Sequence, residues 1–286
     1  MSKQFVRSQS ELYGFSVRGF CRHMALDVLS WRGLLPGAFK KNFDKPRVQI
    51  VEMHYLFDDE VEKFRMLLTK LCMSGHTLIS YSEAVSRISS GNIERPYIAF
   101  TFDDGYKNCL TAAQVLEEFG VTGCFFLNSS IVGENRYSVI EKHCAEKIYK
   151  PPVDFMDWAD VESLLVKGHE IGGHTYSHAN LGKVEGEKIA EEVNRDKEIL
   201  ERYCESVDHF AWPYGASVHF SKEAGEVVFE AGYSSCASAI RGVHLPASSS
   251  HCYVRRNHII AAWPVPHSLY LLAKSVNYWG EVDIVV

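Results

Sequence analysis

From residue 48 onward the chain alternates short apolar runs with longer stretches in which apolar residues return every three or four positions. The runs VQIVEMHYL (48–56), HTLIS (76–80), PYIAFTF (96–102), VTGCFFL (121–127), HEIGGH (169–174), HFAWPY (209–214), YSSCAS (233–238) and RRNHII (255–260) predict strands. The stretches between them predict helices over 58–75, 81–89, 107–119, 157–167, 184–203 and 221–231, the first with an acidic start and a glycine stop. Strands and helices in alternation imply βα units, hence an α/β fold with a parallel sheet or barrel and helices outside it. No repeat, low-complexity tract or Pro/Gly/Ser-rich linker interrupts the pattern, so 48–286 reads as one domain.

Residues 1–47 differ. They hold nine Lys/Arg (3, 7, 18, 22, 32, 40, 41, 45, 47) against three acidic residues (11, 27, 44), a local excess of six positive charges in a chain whose net charge is −6. Phe15, Phe20, Leu26, Leu29, Trp31, Leu34 and Leu35 are interleaved with these charges. Two readings follow: a basic amphipathic element that lies on an anionic membrane or partner surface, or a helical extension packed against the domain. Gly33 and Pro36 break the helical stripe, which favours the packed extension.

The acidic balance argues against a protein that grips nucleic-acid phosphates, which would carry a basic excess. Eight cysteines (21, 72, 109, 124, 144, 204, 236, 252) form no CxxC pair, and several sit inside apolar segments, as buried thiols in a reducing compartment do. The first residues hold no apolar export core, and no run approaches the roughly 20 apolar residues of a membrane span. The expected location is cytoplasmic, with contact at the inner membrane leaflet through residues 1–47 as an option.

In α/β folds of this kind the ligand site gathers where strands end and βα loops begin. Asp103 and Asp104 follow the strand 96–102, in TFDDGY (101–106). His174 follows the strand run 169–173 and opens HTYSH (174–178), so that His174 and His178 stand four apart. Two histidines at this spacing can converge on one metal, and an added aspartate gives a three-ligand centre with room for water, as catalytic sites have. Two adjacent carboxylates then divide the work: one neutralises the metal, the other stays free as a base. The plain alternatives are a turn with solvated carboxylates and a coincidental pair among thirteen histidines. The HExxH pattern is absent, because HEIGGH holds one residue too many between its histidines.

TFDDGY (101–106), HTYSH (174–178) and FAWPYG (210–215) resemble, in order, the first three signature motifs of the polysaccharide deacetylase family (NodB homology, carbohydrate esterase 4). The resemblance runs from about residue 48 to 240. It implies a distorted, NodB-like (β/α) barrel of about seven parallel strands and a divalent metal, zinc first, with cobalt, nickel or iron as other ions that fit. It also implies that Asp104, His174 and His178 are the metal ligands and Asp103 the catalytic base. Two features depart from the family pattern. Ala211 stands where many members carry an arginine that orients the base, so Arg255 or Arg256 is expected to supply that role. The late Leu-x-His motif that provides the acid has no clear match. EMHYLFDD (52–59) resembles the strand-end histidine of a permuted branch that deacetylates poly-N-acetylglucosamine, which makes His54 the expected general acid and His258 the runner-up.

The reaction implied is hydrolysis of an N-acetyl group, with Asp103 taking a proton from water, the Tyr214 backbone N–H holding the oxyanion and His54 protonating the leaving amine. Trp212, Tyr176 and Tyr106 are candidates to line a sugar face. A cytoplasmic member is expected to act on a precursor, a nucleotide-linked or lipid-linked N-acetylated sugar of surface-polysaccharide or O-antigen assembly. The alternatives are a related amide hydrolase, such as a deformylase or non-sugar amidase, and a degenerate carbohydrate-binding member. Oligomeric state is not legible.

Overall fold

The structure, a computed structural model, describes residues 4–14, 17–33, 43–246 and 252–278. Strands β1 (Arg47–Met53), β3 (Pro96–Phe102), β4 (Cys124–Leu127), β5 (Glu170–Gly173), β6 (His209–Ala211) and β7 (Ser235–Ala237) pair in parallel, in that spatial order. β2 (Thr77–Leu78) lies off this path, pairing with the N-terminal half of β3, whose C-terminal half pairs with β4. The path ends in β8 (Tyr253–Val254) on β7 and, at the other edge, in β9 (Asn257–His258) on β1. Only Arg255 and Arg256 separate β8 from β9, so one segment touches both edges and closes a seven-stranded barrel. This is the NodB-like (β/α) barrel expected from the sequence, except that only Asn257–His258 of the strand expected over 255–260 forms, with a second short piece, β8, just before the two arginines.

Strands buried on both faces read as unbroken apolar runs, and every residue of β1 and β3 is buried. Alternation sorts them into two layers. Ile98, Phe100, Phe102, Phe125, Leu127 and Phe210 face outward, in the cluster that packs beneath the helices. Val48, Ile50, Ala99, Cys124, Phe126, Ala211, Ala237 and Val254 form the other cluster, inside the barrel. Four of these inner residues are Ala or Cys, and the space they leave holds the side chain of Arg256, which is fully buried. All six buried cysteines, like the two exposed ones, are free thiols.

The helices Val61–Met73, Tyr81–Ser90, Cys109–Glu118, Trp158–Val166, Glu187–Leu200 and Lys222–Glu230 cover the barrel at the predicted places. Helices Tyr137–His143 and Val265–Ser275 and a π-turn over Cys144–Ile148 were not expected. In the N-terminal region, helix Val17–Gly33 packs on Val265–Ser275. His267 bonds Asp27 at 2.7 Å, His23 meets His267 at 3.2 Å, and the Arg22 guanidinium lies 4.7 Å from the Trp263 ring centre. No helix among the described residues is long and apolar enough to cross a membrane.

Candidate metal centre and its base

β3 delivers Asp103 and Asp104 to one end of the barrel, and β5 delivers His174. Asp103 is fixed from the start by its N–H, which donates to the Met53 carbonyl at 3.0 Å. The backbone then turns left-handed at Asp104 (φ 72°), which swings the second carboxylate away from the first. Thr175 (φ 64°), His178 (φ 56°) and Tyr214 (φ 65°) are left-handed as well. Such a conformation costs a non-glycine residue of the order of 1 kcal/mol, and it persists only where the surroundings hold it.

The surroundings here are specific. HTYSH is a compact loop, not a helical turn. Asn128 donates to the His174 carbonyl and, at 3.0 Å, to the Thr175 carbonyl, while the Thr175 hydroxyl accepts from Ala179 N–H at 2.8 Å. Glu192 accepts from both the N–H and the hydroxyl of Ser177 at 2.8 Å. Asp196, fully buried, accepts from the His174 N–H at 2.9 Å and the Ser129 N–H at 2.9 Å. The two glycines that end β5 allow this crowding. A Cβ on Gly172 would stand 2.4 Å from the Phe126 ring, and one on Gly173 would stand 2.3 Å from the Tyr233 hydroxyl and 3.1 Å from the Asp196 carboxylate.

These constraints bring Asp104, His174 and His178 together. Asp104 Oδ1 lies 3.4 Å from His174 Nε2 and 3.2 Å from His178 Nε2, and all three side chains are buried. Asp104 Oδ1 and His178 Nδ1 have no hydrogen-bond partner among the described residues. Four-coordinate zinc with bonds of about 2.0–2.1 Å separates its donors by about 3.3 Å, so these spacings fit the edges of a ligand tetrahedron. The His174 Nδ1 sits 2.7 Å from the Ala211 carbonyl, which holds the proton on Nδ1 and leaves the Nε2 lone pair for the centre. Burial would raise the Asp104 carboxyl, yet contacts with His174 and His178 and the charge of His54 hold it well below the usual carboxylate range. The donor set fits a divalent cation.

Asp103 has a different partner. Arg256 grips it with both arms, Nη1 to Oδ1 at 2.6 Å and Nη2 to Oδ2 at 2.7 Å. The same guanidinium donates from Nε to the Ser238 carbonyl at 2.7 Å and from Nη1 to Thr101 Oγ1 at 3.2 Å. The repulsion between adjacent carboxylates is therefore answered twice, by an arginine for Asp103 and by the histidine pair for Asp104. Of the two arginines left open by the sequence, Arg256 meets Asp103. Arg255 turns outward, its N–H donating to His244 Nε2 at 2.9 Å and its guanidinium to the Arg241 carbonyl at 3.4 Å.

His54 lies just past the end of β1, partly exposed, its carbonyl accepting from the Cys109 thiol at 3.0 Å. Its ring centre is 5.3 Å from that of His258, and both histidines face Glu52, Nδ1 to Oε1 at 3.7 Å for His54 and 3.4 Å for His258. Nothing in the sequence singled out Glu52, which reads there as one polar residue of a strand. Tyr214 packs its ring on His178, 4.7 Å between centres, and donates its hydroxyl to the Lys147 carbonyl at 2.6 Å. Its backbone N–H has no acceptor among the described residues. Of the three aromatics expected on a sugar face, Trp212 and Tyr106 are core residues. Trp212 is fully buried and stacked on Phe220, and Tyr106 is buried between Tyr55 and Phe155. Tyr176 is partly exposed, with Arg195 stacked 3.9 Å over its ring.

The profile of the family described as polysaccharide deacetylase matches residues 90–236, just over half of the chain. The chain belongs to the polysaccharide deacetylase family. Over 142 residues it is 32% identical to a peptidoglycan-N-acetylglucosamine deacetylase of Bacillus cereus, covering 49% of this chain and 44% of that protein. Over 123 residues it is 30% identical to a chitooligosaccharide deacetylase of Azorhizobium caulinodans, covering 42% of this chain and 48% of that one. The matches thus span less than half the length of these relatives. The fold is similar to that of IcaB from Ammonifex degensii, with a TM-score of 0.61 at 18% identity over 79% of this chain and 97% of that one. Against this deacetylase frame, Asp103, Asp104, His174, His178 and Tyr214 lie inside the matched span, and Glu52, His54, Arg256 and His258 lie outside it.

Proposed function

We propose that the protein is a metal-dependent carbohydrate N-deacetylase that hydrolyses the N-acetyl group of an amino sugar in a surface-polysaccharide or O-antigen precursor. In this reading 48–286 is the catalytic domain and 1–47 an accessory extension. The observation that carries it is the pairing of Asp104, His174 and His178, spaced as cation donors, with an adjacent carboxylate clamped by Arg256.

Held by Asp104, His174 and His178, a divalent cation, zinc first, would supply Lewis acidity to an amide carbonyl and to water. Asp103 takes the proton of the attacking water. The bidentate Arg256 fixes the direction of that carboxylate, and each oxygen retains a lone pair for the incoming proton. The Tyr214 N–H, unpaired among the described residues, donates to the oxygen on which negative charge develops. His54 gives its proton to the departing amine, with its charge felt by both Asp104 and His178.

A groove of about 390 Å³ opens beside Tyr214 and is lined by Ala216, Ser217, Ala239, Ile240 and Arg255. An arginine on this wall suits a phosphate-bearing precursor, whether a nucleotide-linked or a lipid-linked sugar. Helix Val17–Gly33 presents Val17, Cys21, Met24 and Val28 on one exposed stripe, which supports contact with a lipid surface through the basic extension. Elemental analysis combined with acetate release from a panel of N-acetylated nucleotide sugars tests the reading. One bound divalent ion at the first centre and release of acetate are expected; metal-free protein with no acetate would sink it.

A further inference from the structure

We propose that Glu52, His54 and His258 form a second divalent-cation site, and that filling it withdraws His54 from proton delivery. The consequence for turnover rests on the function proposed above; the site itself does not.

The three residues converge from strand ends that share the barrel seam. Glu52 lies in β1, His54 two residues later and His258 in β9, paired directly opposite Glu52. Their donor atoms lie within 4.8 Å of one another. The Glu52–His54 distance of 3.7 Å exceeds a hydrogen bond, and the Glu52–His258 distance of 3.4 Å lies at its outer limit. Both are close to the donor spacing of about 3.3 Å in a tetrahedral zinc centre. Two buried atoms of the cluster, Glu52 Oε2 and His54 Nδ1, lack any hydrogen-bond partner among the described residues, though Glu52 is only 2% exposed. A cation between them would give the idle His54 Nδ1 a partner, and one held by both carboxylate oxygens would give Glu52 Oε2 one as well.

Two features of the surroundings suit a site that fills and empties. His54 and His258 are partly exposed, with side chains 26% and 35% accessible, so an ion has a path from water. The set contains one carboxylate and two imidazoles, with Arg256 nearby, whose positive charge weakens the net attraction for a cation.

Coordination through Nδ1 leaves His54 with a single proton, on Nε2. Giving it to an amine would leave an imidazolate on the metal, so the neutral ligand cannot act as the acid. Excess cation should therefore inhibit without displacing the first ion.

Full-length protein is titrated with Zn2+ alone, and bound metal is counted by equilibrium dialysis and elemental analysis, with acetate release followed in parallel. Wild type is expected to bind two ions, with activity falling roughly a hundredfold as the second fills and recovering when a mild chelator removes it. Glu52→Gln and His258→Gln are each expected to bind one ion and Asp104→Asn to bind one ion, the second. His258→Gln keeps the test decisive if the buried Glu52→Gln chain does not fold. A single ion in wild type, or two ions retained in His258→Gln, overturns the second site. Two ions bound with the predicted variant losses, but no acetate at any zinc concentration, leaves the site standing and sinks the function instead.

Discussion

The barrel end carries two clusters of the same composition, one carboxylate and two histidines, built in opposite ways. Asp104, His174 and His178 are fully enclosed, and Asp104 and His178 sit in left-handed backbone beside Thr175 and Tyr214, which do too. Glu52, His54 and His258 lie in or next to regular strands, without left-handed residues, and the two histidines are partly open to water. Strain concentrated at one cluster and absent from the other marks the first as a centre whose geometry is enforced by its loops. The second is assembled by strand register alone. Enforced geometry suits a permanent ion, and register geometry suits an exchangeable one or a proton donor.

Several substitutions would break or sharpen this contrast. Asp104→Asn should have the largest effect, removing the ion of the enclosed centre and bringing acetate release to background while the fold persists, as elemental analysis and circular dichroism would report. Arg256→Ala leaves Asp103 and Glu52 buried without their counter-charge, and a loss of about 3–5 kcal/mol in denaturant unfolding is expected. An unchanged midpoint would mean that neither carboxylate depends on that guanidinium.

His54→Ala should lower kcat by roughly 10²–10³ with the first ion retained, since only proton delivery is lost. His258→Ala should cost clearly less; the reverse ranking would move the acid to β9.

The smallest effect concerns pH and a residue outside both clusters. Burial pushes the Glu60 carboxyl up from its ordinary 4.5 to about 7, beyond what the hydrogen bond from Phe57 N–H recovers. Between those values the unfolded chain has released this proton and the folded chain still holds it, so Glu60's contribution to stability falls as pH rises. Glu60→Gln should therefore match wild type below pH 4.5 and exceed it by roughly 2–3 kcal/mol above pH 7. Equal unfolding midpoints at pH 8 would refute this.

How much of the centre could be read in advance depended on sequence distance. Asp103, Asp104, His174 and His178 lie in two short strand-end stretches, so their types and spacing are visible together. Asp103 and Arg256 are 153 residues apart and meet only because the barrel closes. Choosing Arg256 over Arg255 needed the inward phase of the last strand, and the break between β8 and β9 hides that phase from any alternation. Trp212 and Tyr106 misled because an aromatic at a strand end looks the same whether it faces sugar or core. Glu52 was silent because a buried acid inside an apolar run gives no sign of the two histidines that will flank it. The fold was more legible, since apolar runs and amphipathic stretches report burial directly. Its irregular parts, the π-turn and the split closing strand, leave no periodic trace.

The split strand has a consequence for biosynthesis. In a chain made from its N-terminus, residues 253–258 are the last of the barrel to leave the ribosome. Until they dock, Glu52 on the edge strand β1 and Asp103 at the end of the neighbouring β3 face a half-built interior with no guanidinium between them. Arg256 therefore arrives as the final stave and the missing counter-ion in one step. In a nascent chain whose barrel is still open Asp103 is not yet clamped, so closing the fold and fixing the direction of that carboxylate are a single event.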